Sequence, residues 1–114
     1  MDLPAYLQRI GHEGDIDVTP ATLAALASGH ARSIPFENID ALAGRRVSLD
    51  PDEVFDKLVR RCRGGWCFEQ NLLLGMALRA VGFDVTDLAG RVLWGRGVDA
   101  VTPRTHRALL VRVV

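Results

Sequence analysis

Arg61-Cys62-Arg63-Gly64-Gly65-Trp66-Cys67-Phe68-Glu69-Gln70-Asn71 sets paired glycines, then a cysteine, at the mouth of an apolar run. Gly64 and Gly65 read as a sharp turn, because a residue without Cβ takes backbone conformations closed to others. Beyond them Phe68, Leu72 and Met76 recur at i, i+4 and i+8, with Leu73, Ala77 and Ala80 beside them. That period predicts a helix with Cys67 in its first turn. A first turn presents unpaired N–H groups and the positive end of the helix dipole. Both favour the thiolate, the reactive form of cysteine, and Arg61 and Arg63 act in the same sense. Cys67 therefore reads as an activated nucleophile; from this stretch alone, an apolar core cysteine remains the alternative.

Three more helices are predicted upstream. Asp2 and Gly11 bracket one over about residues 3 to 10 as N-cap and C-terminal glycine. Thr19-Pro20 opens the next, a capping hydroxyl followed by proline at the first helical position. It carries Leu23, Leu26 and Ala27 on one face and His30 on the same stripe, where a packed, hydrogen-bonded histidine is expected. Ile34-Pro35 ends it, since the residue before proline avoids the α region. Residues 36–49 read as loop, with a short extended segment near Val47 and Leu49 as the alternative. Asp50-Pro51-Asp52-Glu53 starts a further helix with Glu53 placed as in a capping box, and Val54, Phe55, Leu58 and Val59 form its buried side. Gly82 is the expected left-handed stop of the Cys67 helix.

After Gly82 the period changes. Phe83 to Leu88 alternates as a strand, and Arg91-Val92-Leu93-Trp94 is a second strand candidate. The glycine-rich Gly95–Pro103 reads as loop, and Thr105 to Val114 as a β-rich run. The expectation is an α+β chain. Residues 1–82 form a four-helix bundle-like domain carrying Cys67, and 83–114 form a partial β domain carrying His106. An apolar strand reaching the last residue is expected to leave an unpaired edge and to favour a homo-oligomer through 105–114.

Fourteen basic residues balance fourteen acidic ones, so the chain has no overall electrostatic footprint for nucleic acid or an anionic membrane. No apolar run approaches the ~20 residues of a membrane-spanning helix, and the N-terminus lacks signal-peptide character. Cys62 and Cys67, spaced C-x4-C, fit neither a redox pair nor a zinc ribbon. A cytoplasmic protein with reduced thiols and no metal is the expectation.

Arg63-Gly64-Gly65-Trp66-Cys67-Phe68-Glu69, an R-G-G-x-C-x-E pattern, resembles the nucleophile motif of the arylamine N-acetyltransferases. Ile34-Pro35-Phe36-Glu37-Asn38 and Pro103-Arg104-Thr105-His106 are similar to two further stretches of that family, in order and spacing. The resemblance covers roughly residues 34 to 107. The family is usually more than twice this length, so the resemblance is to its N-terminal part, truncated within an incomplete β-barrel domain of a cysteine-proteinase-like core.

The resemblance implies a two-step transfer of acetyl from acetyl-CoA, through acetyl-Cys67, to an arylamine or hydrazine. His106 would be the base, as a nucleophilic thiol requires one within hydrogen-bond reach. The family's third residue is an aspartate in a stretch absent here. Asp84, Asp87 and Asp99 do not occupy its position, so no orienting carboxylate is assigned and impaired activity is expected. Phe36 resembles the family's aromatic wall for the aryl group; a core phenylalanine is the alternative. Arg63, Glu37 and Glu69 are expected to be structural, a charge cluster holding the nucleophile turn. Trp66 falls at the unspecified position of the motif. Gly95-Arg96-Gly97 is too short for a phosphate loop, and poor CoA affinity is expected. Two other readings compete: a catalytically inert helical module that self-associates through its β edge, and a papain-like cysteine peptidase or amidase.

Overall fold

The structure, a computed structural model, describes residues 1–113. Its elements are α1 (Leu3–Ile10), α2 (Pro20–Ser33), the single turn α3 (Ile39–Leu42), α4 (Pro51–Phe55) continued by a π-helical turn (Asp56–Arg60), α5 (Cys67–Val81), β1 (Asp84–Gly90) and β2 (His106–Arg112). This is an α+β arrangement.

Local chemistry sets the helix ends. Asp2 accepts the Ala5 N–H at 3.1 Å, and Gly11 closes α1 with φ 66°. Thr19 Oγ1 accepts the Thr22 N–H at 3.2 Å, with Pro20 at the first helical position. Ile34 is extended and stops α2 before Pro35. Asp50 accepts from both Asp52 and Glu53 N–H. The capping box expected there is only half built, because the Asp50 N–H goes to Ser48 Oγ instead. Gly82, φ 115°, ends α5 and gives its N–H to Leu78 and Arg79 carbonyls.

The helices close on one core: Tyr6, Ile10, Leu26, Ile34, Val54, Phe55, Leu58, Val59, Leu73, Ala77, Leu78 and Phe83 are all buried. Each fully buried leucine contributes about 1.5–3 kcal/mol from removal of apolar surface. α5 buries only part of the expected stripe, Leu73 and Ala77. Glu69, Leu73, Ala77 and Leu78 point inward, while Phe68, Leu72 and Met76 are half-buried and Ala80 is exposed. An acidic residue, Glu69, joins the buried stripe, and the apolar period alone does not mark it.

β1 and β2 pair antiparallel, Asp84 with Arg112 through Gly90 with His106. Val85, Leu109, Val111 and Val113 pack the sheet onto the helical core. Two other expectations are corrected. Residues 36–49 are not all loop, because Asn38 and the following residues close the turn α3. The strand expected over 91–94 does not form: those residues are exposed, lie outside the ladder and lead into a turn at Trp94. Val114, the end of the expected 105–114 strand, lies outside the described residues. No helix among the described residues is long and apolar enough to cross a membrane.

Candidate active site

Cys67 is the first residue of α5, and the residues around it are held from three directions. The first is ionic. Glu69, 2% exposed, accepts the Trp66 N–H on one carboxylate oxygen at 3.0 Å and Lys57 Nζ on the other at 2.6 Å. Lys57, 8% exposed, arrives from the π-helical turn and also meets Asp40 at 2.9 Å. Arg63 joins Asp40 at 3.1 Å and Glu37 at 3.3 Å, and Glu37 accepts the Ile39 N–H at 2.8 Å. Arg63, Glu37 and Glu69 are thus linked in one charge cluster. Its central cation is Lys57 and its most shared anion is Asp40, neither of which any motif marks.

The charges respond to one another. Burial works to lower the Lys57 pKa, but the Glu69 and Asp40 carboxylates outweigh it and hold the ammonium above its ordinary value. Hydrogen bonds from Lys57 and then Arg63 push the Asp40 carboxyl down to about 2. Lys57 and Asp40 therefore hold the turn before Cys67 as charged groups near neutral pH.

The second constraint is backbone approach. Residues 35–37 and 65 form a parallel bridge, with Glu37 N–H to Gly65 O at 3.1 Å and Gly65 N–H to Pro35 O at 3.2 Å. A Cβ on Gly64 would overlap the Pro35 carbonyl oxygen, and one on Gly65 would press on the Glu69 carboxylate. The paired glycines serve this contact rather than a glycine-only turn conformation. The left-handed residue of the turn is Cys62, φ 51°, five residues before the nucleophile. Gln70 reinforces the junction, its Nε2 donating to the carbonyls of Ile34, Pro35 and Gly65 at 3.2, 2.9 and 3.2 Å. Its Oε1 then faces His30 Nε2 at 2.7 Å, which must carry the proton, so that Nδ1 accepts from the Tyr6 hydroxyl at 3.0 Å. His30 is the packed, hydrogen-bonded residue expected.

The third constraint brings α5 to the sheet. The Cys67 thiol points at the Thr105 carbonyl at 3.8 Å, immediately before His106. Asn71 Nδ2 donates to the Cys67 carbonyl at 3.1 Å and to the Arg107 carbonyl at 2.8 Å, immediately after it. Cys67 and His106, 39 positions apart in sequence, are thereby placed at one junction, though the thiol's hydrogen bond goes to backbone and not to the imidazole. His106 is exposed and lines a cavity of about 440 Å³ with Leu23, Ala27, Asn71, Leu74 and Leu78. Phe36 is 71% exposed, which overturns the core alternative for it and leaves its ring free beside the Gly65 bridge.

A family model described as N-acetyltransferase matches residues 19–114. The chain belongs to the arylamine N-acetyltransferase family. The arylamine N-acetyltransferase of Mycolicibacterium smegmatis is 50% identical over 115 residues, 99% of this chain and 42% of that protein. The crystal structure of Nocardia farcinica arylamine N-acetyltransferase matches with a TM-score of 0.92 and 46% identity over 99% of this chain and 39% of that one. The Mycobacterium marinum enzyme in complex with CoA matches with a TM-score of 0.91 and 44% identity, covering 98% and 42%. The chain spans about two-fifths of the length of these relatives.

Within that family frame, the carboxylates near the sheet are already committed. Asp87 holds Arg79 and Arg107, each at 2.6 Å, and Asp84 lies 3.5 Å from Arg112. Neither is placed as a partner for His106. Among the described residues no group of three or more histidine, cysteine, aspartate or glutamate side chains could hold a metal ion.

Proposed function

We propose that this chain carries the acetyl-accepting centre of an arylamine N-acetyltransferase. The observation that carries the reading is the Cys67 thiol at the first position of α5, held against the backbone that presents His106. Imidazole takes the thiol proton, and the thiolate attacks the thioester carbonyl of acetyl-CoA, forming a C–S bond. The tetrahedral adduct collapses by expelling CoA thiolate, which recovers the proton from His106. An arylamine or hydrazine then attacks the acetyl group of Cys67; His106 takes the amine proton and the Cys67 thiolate departs. Glu69 occupies the Trp66 N–H, so the Cys67 N–H, without an intrahelical partner at this position, is the donor for the oxyanion. The solved complex of the M. marinum relative with CoA supports acetyl-CoA as donor, and the exposed Phe36 ring supports an aryl acceptor.

Among the described residues Asp84 and Asp87 are held by arginines rather than by His106, and without an orienting carboxylate on the imidazole a reduced rate of transfer is expected. Intact-mass spectrometry after mixing with acetyl-CoA tests the reading. A single added acetyl group on the wild-type chain, absent from Cys67→Ala, is expected. A folded wild-type chain that gains no acetyl group overturns it. Amide and peptide substrates run in parallel separate it from the papain-like reading.

Self-association through the sheet is a second reading, favoured by the exposure of Leu88 and Leu110 on the β1–β2 ladder.

A further inference from the structure

Asn71 closes the nucleophile stretch and belongs to no part of the chemistry described above. Its side chain sits on the fifth residue of α5, half-buried, and its amide nitrogen has two N–H groups. One goes to the Cys67 carbonyl within its own helix at 3.1 Å, which fixes the amide against the turn carrying the thiol. The other crosses to the Arg107 carbonyl at 2.8 Å on β2, the shorter of the two. Asn71 thus uses both donors, one on each side of the helix–strand junction.

The placement along β2 gives this bond its consequence. Thr105 and Arg107 lie two residues apart, and both carbonyls are turned toward α5, one to the Cys67 thiol and one to Asn71. The residue between them is His106. Pinning the backbone on both sides of a residue fixes where its Cα–Cβ bond projects. His106 is preceded by an exposed, irregular segment from Arg91 onward, whose contact with α5 next to His106 is the Thr105 carbonyl. Its ring makes no hydrogen bond among the described residues, so its position is set by its backbone. Asn71 also lines the same cavity as the imidazole.

We infer that Asn71 is the positioning residue that docks the His106 strand onto the nucleophile helix, setting the distance between imidazole and thiol. The inference rests on the reading of Cys67 and His106 as a reacting pair. Asn71 touches no substrate and moves no proton; its effect passes through the Arg107 backbone. Geometry errors of about 1 Å at a reacting pair cost on the order of 100-fold in rate, so a single docking bond suffices to matter.

Alkylation of Cys67 by iodoacetamide across pH separates the possibilities, with Cys62→Ser as background because Cys62 is exposed. An ordinary thiol is only a few per cent ionised near pH 7, so a paired imidazole raises the neutral-pH rate by roughly tenfold. His106→Ala is expected to remove that neutral-pH limb. Asn71→Ala is expected to remove most of it too, leaving the high-pH rate and the circular dichroism spectrum unchanged. Asn71→Ala combined with His106→Ala is expected to be no slower than His106→Ala alone. Asn71→Leu, matched in shape and uncharged, decides the matter if the alanine variant fails to fold. Loss of the limb in His106→Ala but not in a folded Asn71 variant overturns the inference alone. No limb change in His106→Ala overturns the pairing itself, and the positioning role with it.

Discussion

At the scale of single residues, the nucleophile turn depends on a buried ion pair more than on its thiol. Lys57 and Glu69, 2.6 Å apart and both nearly inaccessible to water, are tolerable only because each satisfies the other. Lys57→Met keeps the unbranched shape and leaves the Glu69 carboxylate without its cation. The expected cost is about 3–5 kcal/mol, the range for breaking a buried pair from one side. Adding Glu69→Gln restores part of it, since the amide oxygen still accepts the Trp66 N–H while the unpaired charge is gone. Urea unfolding of the two variants checks this. A loss below about 1 kcal/mol in Lys57→Met would put the pair on the footing of a surface salt bridge.

At the scale of elements, α1, α2 and α5 are joined through one histidine. Burial, chiefly, and the charge of Arg9 lower the His30 pKa, against the raising effect of the Gln70 acceptor. The folded chain therefore holds His30 neutral where an unfolded chain begins to protonate it. The sign follows: this contribution is fully present above pH 6.5, the unfolded value, and is lost as pH falls through the depressed folded value. Thermal unfolding between pH 7 and 5 is expected to show a His30-dependent fall in stability, at most about 1.4 kcal/mol per pH unit for one proton. A profile for His30→Gln that parallels wild type would remove His30 as its source. Which elements the sequence discloses follows from the same distinction between local and distant contacts. Asp2, Thr19, Asp50, Gly11 and Gly82 are legible as helix ends because a cap involves only neighbours. The place of Glu69 on the buried face of α5 is not, because it becomes a core residue only through Lys57, 12 positions earlier on a π-helical turn. The apparent strand at 91–94 has suitable residues but no paired strand. At the site, Cys67 and His106 stand out through their motifs, whereas Asn71 gains its meaning from a carbonyl 36 positions away.

At the scale of the whole molecule, a two-stranded sheet leaves outer backbone edges, and such edges recruit strands from other chains unless something blocks them. Here the N-terminal part of β2 is occupied, since Asn71 takes the Arg107 carbonyl. Farther along, Leu110 is 50% exposed and pairs with Thr86, while Leu88 is 43% exposed beside Ala108. This leaves an apolar patch next to open ladder. The 91–103 segment offers a rival surface, with Trp94, Val98 and Val101 almost fully exposed. The two make different predictions. If the sheet is the contact, sedimentation velocity is expected to show mass rising with concentration for wild type and for Trp94→Ser. Leu110→Lys is then monomeric, because a charge on the exposed sheet face resists a second sheet or strand. If Trp94→Ser disperses the chain and Leu110→Lys does not, the irregular segment is the contact. A monomer at every concentration in all three would mean that the exposed ladder recruits no second copy, which removes self-association as a reading of this chain.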